Sequence, residues 1–200
     1  MINPSRSSSP LYMLSCLVVL LLLPLPSIFA DPDPLQDFCI ADLSASIKEG
    51  NTSNTFGFNV TPANVDVFPG LNTLEVSLSR ADFAIGGVIP PHTHPRATET
   101  VLVISGQVLV GFVTTGNVYY SKILTAGQIF VIPKGLVHFQ RNVGPGKALF
   151  FTSFDSQLPG VAIVPLNLFA TTPSIPNDVL TKSFQVGDDV VNSIKSKFGS

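Results

Sequence analysis

Gly86-Gly87-Val88-Ile89-Pro90-Pro91-His92-Thr93-His94-Pro95-Arg96-Ala97-Thr98-Glu99, closed by Gly106, is the stretch on which the reading of this 200-residue chain turns. His92 and His94 stand at i and i+2, so on a strand both imidazoles leave from one face. Pro95 interrupts that strand and lets the chain turn before Glu99. The remaining histidine of the three, His138, follows a second framed segment that runs from Gly127 through Pro133-Lys134-Gly135 to His138 and Asn142. Three imidazoles and one carboxylate form a complete set of N and O donors for a divalent metal. A lone His-x-His pair, a lone strand histidine or a lone glutamate carries little weight. Their joint placement in a glycine and proline frame carries far more. Gly106 and Gly127 sit where strands must reverse and a positive φ is needed. Pro133 ends a strand, and the bend at Gly135 aims His138 back at the other donors.

Outward from this frame the chain reads as all-β. Short β-type runs bounded by turn residues begin near Leu74. Leu74, Val76 and Leu78 alternate with Glu75, Ser77 and Ser79, which predicts a half-buried strand with the apolar row inward. Further runs are Val101–Ile104, Val108–Val113, Tyr119–Leu124, Ile129–Ile132, Ala148–Phe154 and Val161–Val164. Seven or more strands at this spacing argue for a sandwich or small barrel. Near the end the period changes. Asn177 is placed to cap a helix carrying Val179, Leu180 and Phe184, and Asp188 to cap another with a stripe of Val190, Val191, Ile194 and Phe198. There is no internal repeat, so one barrel is expected. Its bounds are residues 59–170, after an N-terminal arm over 31–58 and before a helical segment over 171–200.

The first 30 residues read differently. Arg6 precedes an almost wholly apolar run from Leu11 to Leu25, and Ile28-Phe29-Ala30 offers a small residue for cleavage. This is the pattern of a secretory signal peptide, and its apolar run is too short, and too soon broken by proline, for a spanning helix. Charged residues make up 12% of the chain, against about 25% in an average soluble protein, so apolar faces must be covered by neighbours. With Arg6 removed, 10 basic side chains oppose 13 acidic ones and no basic cluster remains, which gives no reason to expect nucleic acid or anionic membrane as partner. Asn51-Thr52-Ser53 and Asn59-Val60-Thr61 are glycosylation sequons in a stretch that reads as surface loop. No Gly-x-Ser-x-Gly elbow supports a hydrolase.

The two framed segments match, without a gap, the paired motifs of the cupin superfamily. Asp31-Pro32-Asp33-Pro34-Leu35-Gln36-Asp37-Phe38-Cys39, Phe68-Pro69-Gly70-Leu71-Asn72-Thr73-Leu74 and Gly135-Leu136-Val137-His138-Phe139-Gln140 narrow the resemblance to plant germins and germin-like proteins. The resemblance implies a single cupin jelly-roll barrel with short C-terminal α-helices, in an extracellular glycoprotein of the apoplast and cell wall. It also implies a homohexamer, built as a trimer of dimers, whose C-terminal helices clasp the partner. The donor set itself suits Mn²⁺, Fe²⁺, Ni²⁺ or Zn²⁺. The resemblance selects one Mn²⁺ per subunit, on His92, His94, Glu99 and His138. The family is known for two activities, superoxide dismutation and oxalate oxidation, and the resemblance implies the first as an expectation here, with a role in defence. A non-enzymatic receptor or structural role that receives a small-molecule ligand is the alternative, because fold does not fix function.

Oxalate oxidases of the family carry asparagines where this chain has Ser79 and Ile89, and the side chain of Ile89 makes no hydrogen bond. A site built to fix a dianion loses heavily without such a contact, so oxalate oxidation is not expected. A second departure is the absence of the segment that carries the partner cysteine in relatives. With Cys16 in the leader, Cys39 is unpaired in the mature chain, which forgoes a bridge worth about 2–5 kcal/mol. Titration of the denatured, secreted protein with a thiol reagent is expected to find the Cys39 thiol free, and a fully blocked thiol would contradict the reading.

Overall fold

The computed structural model describes residues 47–199; the expected leader, most of the arm and Cys39 lie outside them. The described strands are β1 (Phe58–Ala63), β2 (Ser77–Phe83), β3 (Val88–Thr93), β4 (Glu99–Ser105), β5 (Gln107–Val113), β6 (Tyr119–Thr125), β7 (Ile129–Ile132), β8 (Val137–Asn142), β9 (Ala148–Phe154) and β10 (Ala162–Ile163). They form two antiparallel five-stranded sheets, ordered β1-β2-β9-β4-β7 and β10-β3-β8-β5-β6. Crossovers between the sheets give the jelly-roll sandwich expected from the sequence.

Inner faces of both sheets supply the core. Phe83, Val101, Val103 and Phe150 from one sheet meet Ile89, Val108, Val110 and Leu124 from the other, all buried. Period-two alternation carries this packing toward the opposite end of the sandwich, where the same inner faces become polar. On β4 the inward row is Glu99, Val101 and Val103, and on β8 it is His138, Gln140 and Asn142. Asn142 is fully satisfied there: its Nδ2 donates to the carbonyls of Ala84 (2.8 Å) and Gly146 (2.7 Å), and its Oδ1 accepts from Gly144 N (3.0 Å). One side chain thus pins two loops at the far end of the barrel.

Several sequence expectations are corrected. The alternation at Leu74–Ser79 has the opposite sense: Ser77, Ser79, Ala81 and Phe83 face inward, while Leu74, Val76 and Leu78 are exposed. The reason is local, because this end of the sheet borders a polar site, and Ser77 Oγ donates to Ser156 O at 2.7 Å. The run at Val161–Val164 pairs only over β10 and then turns into helix α1 (Val164–Phe169), with a proline in its first turn. Asn177 and Asp188 are not caps. They are the first residues of α2 (Asn177–Phe184) and α3 (Asp188–Lys197), whose caps are Pro176 and Gly187 without side-chain bonds. Asn177 instead accepts from buried Lys195 Nζ at 2.8 Å, tying α2 to α3. The helices share a second small core of Phe169, Leu180 and Val191. Asn51 is exposed, whereas Asn59 lies half-buried on β1 rather than in a loop.

The β4–β5 reversal rests on Gly106, where φ is +84° and a Cβ would stand 2.6 Å from that of Ala148. Gly106→Ala combines a left-handed penalty of about 1–2 kcal/mol with an overpacking cost of about 1–3 kcal/mol. The expected result is a matching drop in unfolding free energy in urea titration, with the four metal-set residues untouched.

Candidate metal centre

The site is assembled where β3 and β8 run antiparallel, with His92 directly opposite His138. Ile89 pairs with Gln140, and the register shifts between Ile89 and His92. The shift falls on Pro90-Pro91, which have no N–H to give to a ladder and are tolerated at a bulge. The extra residue resets the alternation, so Ile89 and His92 both turn inward although three positions apart. His94 follows just beyond the end of β3, and Glu99 opens β4 on the facing sheet.

All four sequence-identified donors come together. One ligand atom from each of His92, His94, Glu99 and His138 lies within 4.8 Å of the others, and all four residues are buried. Each imidazole is oriented by a backbone carbonyl: His92 Nδ1 by Pro90 O (2.8 Å), His94 Nδ1 by Gly160 O (2.5 Å) and His138 Nδ1 by Leu136 O (2.8 Å). A carbonyl only accepts, so in each ring the proton sits on Nδ1. The neutral ring then offers the lone pair of Nε2 as the ligand atom.

Glu99 is divided in the same way. Its Oε1 accepts from Gln140 Nε2 at 3.2 Å and from Thr152 Oγ1 at 3.0 Å. Its Oε2 lies 2.8 Å from His138 Nε2 and 3.3 Å from His94 Nε2. Neither Oε2 nor His138 Nε2 has an aligned hydrogen-bond partner, though both are buried. With the histidine tautomers above, lone pairs face one another across this gap, and only a positive centre relieves them. A divalent cation fits that need; the residues present suit the group.

Electrostatics agree with a cation site. Burial drives His92 down from 6.5 to about 4, with the neighbouring His138 adding to the effect. Burial pushes Glu99 up, but the adjacent His138 and His94 imidazoles outweigh it and hold the carboxylate well below its usual range. Both groups therefore stay in the ligating form at neutral pH.

Beside the donors opens a cavity of about 410 Å³, bordered by Phe58, Ser79, Ile89, Gln140, Phe150 and Phe154 among others. The Phe154 ring meets His94 edge-on at 4.7 Å. Ser79 and Ile89 thus stand where the sequence comparison with oxalate oxidases put them, next to the metal set. Gln140 and Thr152 were not singled out from sequence. Gln140 carried a signal, since it lies two residues after His138 on the same strand face. Thr152 carried none, because only the β4–β9 register brings it beside Glu99. The carbonyl of Gly160 belongs to a loop held by Arg96, whose Nε donates to Leu158 O at 2.6 Å and whose N donates to Pro159 O at 3.2 Å.

A family profile described as Cupin matches residues 45–192. "Germin-like protein subfamily T member 2" of Arabidopsis thaliana is 51% identical, across 92% of this chain and 94% of its own length. The "Rhicadhesin receptor" of Pisum sativum is 50% identical, across 83% of this chain and 88% of its own. Among solved structures, oxalate oxidase in complex with the substrate analogue glycolate aligns with a TM-score of 0.79 at 47% identity, covering 85% of this chain and 98% of that one.

Linkage fixes how stability depends on pH once metal is stripped by a chelator. The folded His92 titrates near 4 and the unfolded one near 6.5. The unfolded state therefore binds more protons in between, and the stability contribution, full above 6.5, is lost as pH falls toward 4. Glu99 acts in the same sense, its contribution disappearing as pH drops below 4.5. The expected outcome is a melting temperature of the stripped protein that falls steadily across this range and falls less in His92→Gln. A flat profile would contradict the assignment.

Proposed function

This chain belongs to the germin-like proteins of the cupin family, and we propose that it is a secreted manganese protein of the plant apoplast that dismutes superoxide and does not oxidise oxalate. The observation that carries the metal reading is the convergence of three imidazoles, each fixed by a carbonyl in the Nε2-ligating tautomer, on the free oxygen of Glu99. Manganese is the ion that the germin-like resemblance favours for such a set. When bound, it supplies one-electron redox chemistry at a site screened from bulk water.

The chain's own residues do the rest. Gln140 and Thr152 hold the second carboxylate oxygen so that Glu99 presents one atom inward. Phe154 packs edge-on against His94 and covers that side of the donor set. Against oxalate stands Ile89, whose side chain has no hydrogen bond to give at the cavity wall beside the metal set, so carboxylate oxygens facing it would lose their hydration without a donor in its place. The solved neighbour at 47% identity is an oxalate oxidase, so the difference is assigned to this wall position rather than to the fold.

Secretion is supported by the leader-like first 30 residues, and a glycan is best supported at the exposed Asn51. The proposed trimer of dimers is supported by apolar side chains left exposed on one sheet, Ile104, Ile129 and Val131, and on the helices, Val179, Phe184 and Val190. A receptor reading, in which the metal is structural, draws support from the name of the pea relative.

Expression of the secreted form, metal analysis and parallel assays with superoxide and oxalate test the proposal. Stoichiometric manganese, superoxide consumption abolished in His138→Ala, and no hydrogen peroxide from oxalate are expected. Peroxide release from oxalate would overturn the assigned specificity. Tightly held metal without superoxide-dependent cycling would favour the receptor reading.

A further inference from the structure

Gln157 joins an exposed loop to the donor set. Residues 64–76 connect β1 to β2 around a short 3₁₀ turn at Pro69–Leu71, and leave Val67, Leu74 and Val76 open to solvent. The amides of Val67, Phe68, Leu71 and Leu74 bond to carbonyls within the loop itself. Two hydrogen bonds tie it to a distant part of the chain, and both end on Gln157. Val65 N donates to Gln157 O at 3.0 Å, and Glu75 N donates to Gln157 Oε1 at 3.3 Å. One residue thus pins both ends of the loop. The pinning works against the backbone, because Thr73 (φ +68°) and Glu75 (φ +49°) are left-handed without being glycine. Such conformations persist only where surrounding contacts impose them.

Gln157 stands three positions before Gly160, whose carbonyl accepts from His94 Nδ1. Arg96 clamps the residues between them, at Leu158 O and Pro159 O. The state of the His94 ring therefore reaches the loop along a short, bonded path. With a cation on Nε2, the single proton of the neutral ring stays on Nδ1 and holds Gly160 O. Without one, Glu99 Oε2 lies 3.3 Å from Nε2 and is placed to accept that proton. Nδ1 then turns a lone pair toward the Gly160 carbonyl, and an attraction becomes a repulsion. We propose that metal occupancy governs the docking of residues 64–76, which are fastened when a divalent cation fills the donor set and loosened when it does not. The loop is the two-state element, and the protein displays at its surface whether its centre is loaded. No proton is gained or lost in the change, which moves one between two nitrogens of the same ring. The inference rests on the metal reading, but on any divalent cation there rather than on manganese or turnover.

Hydrogen exchange followed by mass spectrometry tests it on the intact secreted protein, at about pH 8, loaded with manganese, loaded with zinc or stripped by a chelator. Peptides carrying the Val65 and Glu75 amides are expected to exchange about fivefold faster in the stripped protein, within the worth of one hydrogen bond, and alike with either metal bound. Gly144, whose amide is held by Asn142 at the far end of the barrel, should change by less than about twofold, which marks the opening as local. In Gln157→Ala the Glu75 amide loses its acceptor and should exchange fast with or without metal. Val65, bonded to a backbone oxygen, should keep its response. Equal exchange in loaded and stripped protein, a loss of protection shared in full by Gly144, or bound zinc that fails to protect would each overturn the proposal. So would a Glu75 amide that still answers to metal in Gln157→Ala. The comparison on the unmutated protein depends on no variant folding. Metal content and superoxide turnover measured on the same samples separate the two readings. Protection by bound metal without turnover sinks only the proposed function, and manganese with turnover but unchanged exchange at Val65 and Glu75 sinks only this inference.

Discussion

Pairing of β3 with β8 across the Pro90-Pro91 irregularity is the constraint on which the site depends. In a regular ladder Ile89 and His92 would face opposite sides, and a barrel with Ile89 in its core would turn His92 out to solvent. Two consecutive prolines remove two ladder donors, admit the extra residue and bring His92 opposite His138. From that point the rest is forced. Two imidazoles face each other at a ring separation of 4.1 Å, and the other two donors close in from beyond the strand end and from the facing sheet.

The same strands that hold the donors also build the core, and this division along each strand makes the site rigid. Val101 and Val103 on β4 are fully buried two and four positions beyond Glu99. On β9, Phe150 belongs to the core while Thr152, two positions on, supports Glu99. Donors anchored in this way move only if the sandwich itself opens. A preorganised set of this kind lets a cation bind without ordering any side chain first, so less of its binding energy is spent on conformational entropy.

Much of this was legible in the sequence because glycine and proline are read by position. The turns at Gly106 and Gly127, the end of β7 before Pro133 and the bend at Gly135 all occur where expected, with φ near +80° at the three glycines. The four donors were legible because imidazoles are scarce here and framed. What failed did so for definable reasons. Alternation at Leu74–Leu78 gives period but not sense: here the serines of the row, Ser77 and Ser79, are buried and the apolar residues are left exposed, which inverts the usual rule. Helix caps failed because tertiary bonding claimed Asn177 for Lys195. The support of Glu99 by Thr152 depends on a strand register set by the whole sheet, and short-range pattern carries no trace of it.

His94 differs from the other two histidines in where its orienting carbonyl comes from. His92 and His138 each use a carbonyl two residues away, so their tautomers are local properties of their strands. His94 uses Gly160, 66 positions along the chain, on the loop clamped by Arg96. Ligand basicity at the metal is thereby tied to the length and packing of a distant surface loop. Relatives that keep all four donors but differ at 158–160 need not hold their ion with the same strength or potential, and evolution can tune this centre without altering a single ligand.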